Sequence, residues 1–325
     1  MIVKCPLKII LLGEHSVLYH KRAVTMAVDL YLTLSIKEQN SIEIIYNKQQ
    51  LYTGDRFIGS PTLDIDFDNV DVKDNQVLSG ILHVLKTLCI GCTIEIKSDV
   101  PLGCGLGTSA AASISIALGC LSIANNFHSL NVSENDLKKQ SYLIADKLDY
   151  FIHGKGSGID VLTCFYGGIQ YYDGILNTNG SIANFCTKLS IELPKIHVLY
   201  SKIQKDTLKM VSKVSQQYKL YPKVILSIMS TIDELITCFI NGESIQHLSN
   251  YCHDMLVSLG VSHPKLEEAV RLLRQNGISS KLTGAGNGGC LITFGELNES
   301  ILQQIRALDY DIYPIKCCES GVQIE

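Results

Sequence analysis

The sequence carries no block of like charges. Only 18% of its 325 residues are charged and the formal net charge is −4, so it has neither the basic stripe of a nucleic-acid binder nor an acidic tail. It is read as lacking any window of the roughly 20 apolar residues that a membrane helix needs. The opening MIVKCPLKIILLGEH is broken by Lys4, Pro6 and Lys8, and no small-residue cleavage site follows it. These absences describe a soluble cytoplasmic protein with neither a nucleic-acid nor a membrane partner. Twelve cysteines are present, but Cys89 and Cys92 have no second C-x-x-C pair nearby and Cys317-Cys318 is distant in sequence. The thiols therefore read as reduced small hydrophobes rather than zinc ligands or disulfides. Internal repeats and low-complexity linkers are also missing.

What remains is a globular composition, 46% hydrophobic, in a chain long enough for two domains. AVTMAVDL, YLTLSIK, SIEIIYN, LDIDFD and TIEIKSD alternate apolar and polar residues, so the front third reads as strands. AAASISIALGCLSIANNF is apolar nearly all round and predicts a buried helix. SENDLKKQSYLIADKLDYFIHG predicts a second, with Ser133 and Asp136 resembling a capping box, one face formed by Leu137, Ile144, Leu148 and Phe151, and an end near Gly154. YGGIQYYDG and IELPKIHVLYSK return to strand character. YPKVILSIMSTIDELITCFI and HPKLEEAVRLLRQNG are amphipathic helical patterns, the latter stopping at Gly277. The change of texture near 185–195 sets the expected domains at 1–189 and 190–325.

PLGCGLGTSAAAS, at 101–113, places Gly103, Gly105 and Gly107 ahead of Thr108, Ser109 and a run of alanines. Glycines let backbone N–H groups turn inward, and a helix beginning there presents its positive end, which suits a phosphate. The stretch lacks the lysine of the Walker pattern and the G-x-G-x-x-G spacing of the dinucleotide pattern. By itself a glycine-rich turn before a helix is more often structural than functional. Two further stretches add weight. KLTGAGNGGCLITF, at 281–294, is a second glycine loop before a buried strand. PLKIILLGEHSVLYHKRAV sets Lys8, Glu14 and His15 around an apolar strand, with Glu14 and His15 expected to be exposed at its end beside Gly13.

Together these stretches resemble the GHMP small-molecule kinases, the family of galactokinase, homoserine kinase, mevalonate kinase and phosphomevalonate kinase. The similarity continues through HGKGSGIDVLTCFYGG at 153–168 and SKIQKDT at 201–207, and so spans most of the chain. Within the family, GEHSVLYHKRAV looks most like the branch that acts on mevalonate. The resemblance implies an α+β fold of two domains, the first similar to ribosomal protein S5 domain 2 and the second ferredoxin-like. It implies ATP as phosphoryl donor, Mg2+ as cofactor and mevalonate as acceptor, with homodimerisation common in that branch.

Residue by residue, the resemblance makes Asp160 the catalytic base and Lys8 the lysine beside it. Pro101, Gly103, Gly105, Leu106, Gly107, Thr108, Ser109 and Ala110 would wrap the ATP phosphates, and Gly284 and Gly286 would close over the nucleotide from the second domain. Glu14, His15, Thr207 and Ala285 match acceptor-side positions, while Ser109 and Asp149 match the magnesium ligands. Phosphoryl transfer needs alignment of a hydroxyl with the γ-phosphate and dispersal of negative charge, for which a carboxylate, a lysine and inward N–H groups suffice. The sequence departs from the family pattern at Leu7 and His20, which stand where glycine is usual, at Asp149 for glutamate, at Lys205 for a frequent arginine, and at Asn287 within the second glycine run. The alternatives are a relative acting on phosphomevalonate or another hydroxylated substrate, and a catalytically silent sensing paralogue. The scarcity of basic residues near Glu14 and His15 speaks against a phosphorylated acceptor, and retention of Lys8 and Asp160 against the silent paralogue.

Overall fold

The structure, a computed structural model, describes residues 1–68, 70, 72, 75–154, 157–174 and 186–325. The first sheet is built from β1 (Ile2–Leu12), β2 (Ala23–Glu38), β3 (Ser41–Tyr46), β4 (Gln49–Asp55), β5 (Cys92–Ser98), β6 (Ile169–Tyr172), β7 (Cys186–Leu189) and the last strand of the chain, β12 (Gln323–Ile324). Its order is β12-β1-β2-β5-β3-β4, with β6 also paired to β2 and β7 to β6. Only the β3–β5 pairing is parallel among these strands. Its helices are α1 (Gln76–Thr87), α2 (Thr108–Phe127), α3 (Glu134–His153) and α4 (Ile159–Tyr166).

The second sheet has β8 (Ile196–Tyr200), β9 (Ser279–Thr283), β10 (Cys290–Phe294) and β11 (Asp311–Ile315), in the antiparallel order β11-β8-β10-β9. Between β8 and β9 lie α5 (Thr207–Leu220), α6 (Pro222–Ile240), α7 (Ile245–Ser258) and α8 (Pro264–Gln275), and α9 (Glu299–Ala307) precedes β11. Strand, helices, two strands, helix, strand along the chain, with that sheet order in space, is the split β-α-β arrangement of ferredoxin-like folds. The two halves are joined by more than the chain. The Arg22 guanidinium forks onto Asp233 of α6 at 2.9 and 2.8 Å, and β12 returns to pair with Val3 and Lys4 of β1.

α2 is the core helix of the first half, resting on β1 and β2. Against the expectation that no segment reaches membrane-spanning length, its 20 residues are long and apolar enough, with a mean hydropathy of 1.4, but 72% of the window is buried inside the protein. Helix α3 starts on the Ser133 hydroxyl, which accepts from the Asp136 N–H, and stops at Gly154 in the left-handed conformation. The front third is not all strand, because α1 lies within it. Its start was legible in Asn75, whose side chain caps the Leu78 N–H.

The alternating LDIDFD segment is not a strand either. Ile65 is buried, as alternation demands, but the backbone carbonyls find side chains rather than a neighbouring strand. Leu63 O accepts from Gln140, Ile65 O from Lys147 and Asp66 O from His83. Period-two burial reports an extended segment, and a strand also needs a ladder partner.

Candidate active site

β1 delivers Lys8 to the centre of the molecule, where its ammonium lies 2.9 Å from the Asp160 carboxylate in the first turn of α4. The lysine side chain is 2% exposed and the aspartate 38%, so the pair has a sealed side and an open one. Over Lys8 runs the first glycine loop, with the Lys8 N–H donating to Leu106 O at 2.9 Å. Gly107 has φ of 74°, and a Cβ there would lie 2.8 Å from Lys8 Cγ. Only glycine allows both the backbone conformation and the close approach. The loop ends at Thr108, the first residue of α2, whose hydroxyl accepts from the Gly103 N–H at 3.2 Å. Nothing lies within 4 Å of where a Gly103 Cβ would be, which leaves an open cradle at a helix N-terminus.

Ser109, next on α2, donates to Asp149 Oδ1 of α3 at 3.0 Å. The Asp149 side chain is only 14% exposed, although it lies on a helix. Burial pushes its carboxyl up to about 6, against the attraction of His153 and with repulsion from Asp160 adding to the rise. The Ser109 hydroxyl and the Asp149 carboxylate form a pair of oxygen ligands of the kind that fits a hard divalent cation.

From the second half, the Gly284–Gly289 loop between β9 and β10 faces the first loop across a cleft of about 620 Å³. Every expected site residue lines this cleft except Pro101, Leu106 and Gly286. The first loop also meets the start of β10, where the Cys290 thiol donates to Cys104 O at 3.3 Å. Asn287 takes φ of 56° and its N–H donates to Val261 O at 2.7 Å. Asparagine tolerates the left-handed conformation, so the interrupted glycine run keeps its shape. His20 also occupies a left-handed position, with φ of 59°.

Glu14 and His15 correct the sequence reading. They are not an exposed strand end, being 1% and 6% exposed. Glu14 is ion-paired with Lys281 of β9, and burial nevertheless raises its carboxyl above the usual range. The His15 ring is held at 2.9 Å from Ala285 O, and burial lowers its pKa, favouring the neutral ring. With a carbonyl as partner, Nε2 carries the proton and Nδ1 is the acceptor.

Two lysines were missed as site residues. Lys281 stands just ahead of the second glycine loop, and its burial in β9 follows from the fold. Lys205 had been noted only as an arginine replacement. It reaches between the glycine loops, its Nζ 3.3 Å from the position of a Gly284 Cβ and 3.6 Å from that of a Gly105 Cβ. Burial first, and then Lys8, lower its pKa. Among the described residues its ammonium has no hydrogen-bond or ion-pair partner.

Two glycine loops from different sheets thus enclose a lysine–aspartate pair in one cleft. Residues 75–168 match the GHMP kinases N terminal domain and residues 235–311 the GHMP kinases C terminal domain. The chain belongs to the GHMP kinase family and is an ATP-dependent small-molecule kinase. Within that family its similarity is to mevalonate kinases. It is 31% identical to the mevalonate kinase of Methanocaldococcus jannaschii, over 96% of this chain and 98% of that one. It is 30% identical to the mevalonate kinase of Pyrococcus abyssi, over 90% and 87%. The crystal structure of the Methanococcus jannaschii mevalonate kinase superposes with a TM-score of 0.73 at 27% identity, covering 98% of each chain.

Proposed function

We propose that the protein is a soluble, cytoplasmic mevalonate kinase that transfers the γ-phosphoryl group of ATP to the 5-hydroxyl of (R)-mevalonate, for isoprenoid synthesis. The observation that carries this reading is the Lys8–Asp160 pair, 2.9 Å apart, set between two glycine loops in a chain similar to mevalonate kinases along nearly its whole length.

The chain's own groups divide the work. Asp160, on the open side of the pair, accepts the proton of the acceptor hydroxyl as the oxygen attacks. Lys8 fixes the carboxylate and offsets charge on that oxygen. The inward N–H groups of the first glycine loop and the N-terminus of α2 hold the donor phosphates. Ser109 and Asp149 would hold Mg2+, which supplies positive charge to the phosphates when bound. On the acceptor side, Thr207 stands in the first turn of α5, and His15 offers Nδ1 to a substrate hydroxyl. Lys205, without a partner among the described residues, is the cation for the single carboxylate of mevalonate; a phosphorylated acceptor would bring a second anionic group. ADP release with MgATP and a panel of mevalonate, phosphomevalonate, homoserine and galactose tests the reading. Turnover with mevalonate alone is expected, and turnover confined to another acceptor would overturn it.

A further inference from the structure

We infer that Glu14 does not touch substrate but acts with Lys281 as a positioning couple, through which the second sheet sets the place of His15 in the acceptor site. The inference rests on the mevalonate kinase reading above. The starting observation is a row of alternate residues, Lys281, Thr283 and Ala285, running along β9 and into its glycine loop. Lys281 and Thr283, alternate residues of β9, share one face, Ala285 follows the left-handed turn at Gly284, and each of the three is bonded to the segment between Ile10 and His15. The Thr283 hydroxyl accepts from the Ile10 N–H at 3.0 Å and lies 3.2 Å from Ile10 O. Lys281 donates to Glu14, and Ala285 O accepts from the His15 ring.

The local backbone explains why this segment is available. β1 breaks register with β2 between Ile10 and Leu12, and such a bulge turns backbone groups out of the ladder. β9 is the edge strand of its sheet, with its other face tied to α7, where His253 Nδ1 accepts from the Leu282 N–H at 3.2 Å. A segment leaving one sheet is thus stitched to the edge of the other.

The couple itself leaves no room for substrate. The three protons of the Lys281 ammonium have three acceptors, Glu14 Oε1, Leu282 O at 2.8 Å and Ile10 O at 3.4 Å. Glu14 Oε2 lies 3.9 Å from the Cys252 thiol. Both side chains of the pair are 0% exposed, so although Glu14 borders the cleft, its carboxylate is turned to Lys281 and has no open surface for a substrate hydroxyl. A buried ion pair is weak evidence for stability, because desolvation offsets its attraction, and its better-attested use is to fix a unique arrangement. The arrangement fixed here is an unfavourable one. His15, the next residue, has φ of 60° and ψ of −42°, a conformation that a non-glycine residue keeps only when its surroundings impose it.

The test is a double-mutant cycle of Glu14→Gln, Lys281→Met and both together, with Lys281→Gln as the milder variant should the methionine chain not fold. Each single change is expected to raise the KM for mevalonate by about ten-fold or more, and to leave MgATP binding within about three-fold. The double variant is expected to be no worse than the more damaging single one. Losses that multiply, or an effect of Glu14→Gln without a matching effect at Lys281, would mean that Glu14 contacts substrate directly and would overturn the inference. A second readout does not depend on the acceptor. In 15N-histidine NMR, the His15 Nε2–H signal, assigned with His15→Asn, should be protected in the wild type and lost in either single variant. Its survival in both would also refute the coupling. The wild-type turnover assay separately decides whether mevalonate is the acceptor.

Discussion

Replacing Asp149 with asparagine should make the metal-free protein more stable at alkaline pH while impairing it as an enzyme. The carboxyl is pushed up to about 6 from an ordinary 3.8 by burial. Two units at about 1.4 kcal/mol each give about 3 kcal/mol at full effect. The folded-state pKa lies above the unfolded one, so the native state favours the protonated carboxyl. That advantage is complete below about pH 4, declines through about pH 6, and is gone at pH 8, where the charged carboxylate must be buried. Asparagine keeps an oxygen for the Ser109 hydroxyl and carries no charge, so it escapes the penalty. At about 2–4 °C per kcal/mol for domains of moderate size, the variant should melt about 6–12 °C higher at pH 8. At pH 4 the gain should vanish. The assay is thermal unfolding with EDTA present, at pH 4, 6 and 8, beside kcat/KM for MgATP at pH 8, which should fall. Equal melting temperatures at pH 8, or a gain that persists unchanged at pH 4, would refute the reasoning.

Asp160→Asn should lower kcat by about 10²–10⁴-fold with ATP affinity nearly intact, since it removes the proton acceptor and not the phosphate cradle; ordinary turnover would end its assignment as base. Gly107→Ala forces a Cβ to within 2.8 Å of Lys8 Cγ, so it should reduce both MgATP affinity and kcat, and an active variant with wild-type constants would show that the loop yields easily. At Asn287, glycine should be tolerated within about 0.5 kcal/mol, whereas valine should cost about 1–3 kcal/mol in urea unfolding, because a β-branched residue strongly resists a φ of 56°.

The parts of the protein legible in the sequence were those with a local cause. The glycine loop, the capped start of α3 at Ser133 and the all-round apolar character of α2 each depend on neighbours a few residues away. LDIDFD shows the limit of that logic, since its alternation specified burial but its hydrogen-bond partners lie on helices up to 82 residues distant. The burial of Glu14 was equally out of reach, because it depends on Lys281, 267 positions further on. Lys205 was visible as a charge, but only the fold brings both glycine loops against it. Asn287 was read as an interruption when composition alone was considered, and its backbone conformation turns it into a substitute for glycine.

The pairing of β12 with β1 has a consequence for how the enzyme is made. β1 holds Lys8 and lies between β2 and β12, and the Ile2 N–H and carbonyl are bonded to Glu325, the last residue of the chain, at 3.1 and 2.8 Å. During synthesis the strand that carries Lys8 precedes its partner β12 by nearly the whole of both sheets, and it has one side unpaired until β12 has been made. For the whole time that the second half is being synthesised, the nascent chain presents an open edge to other strands.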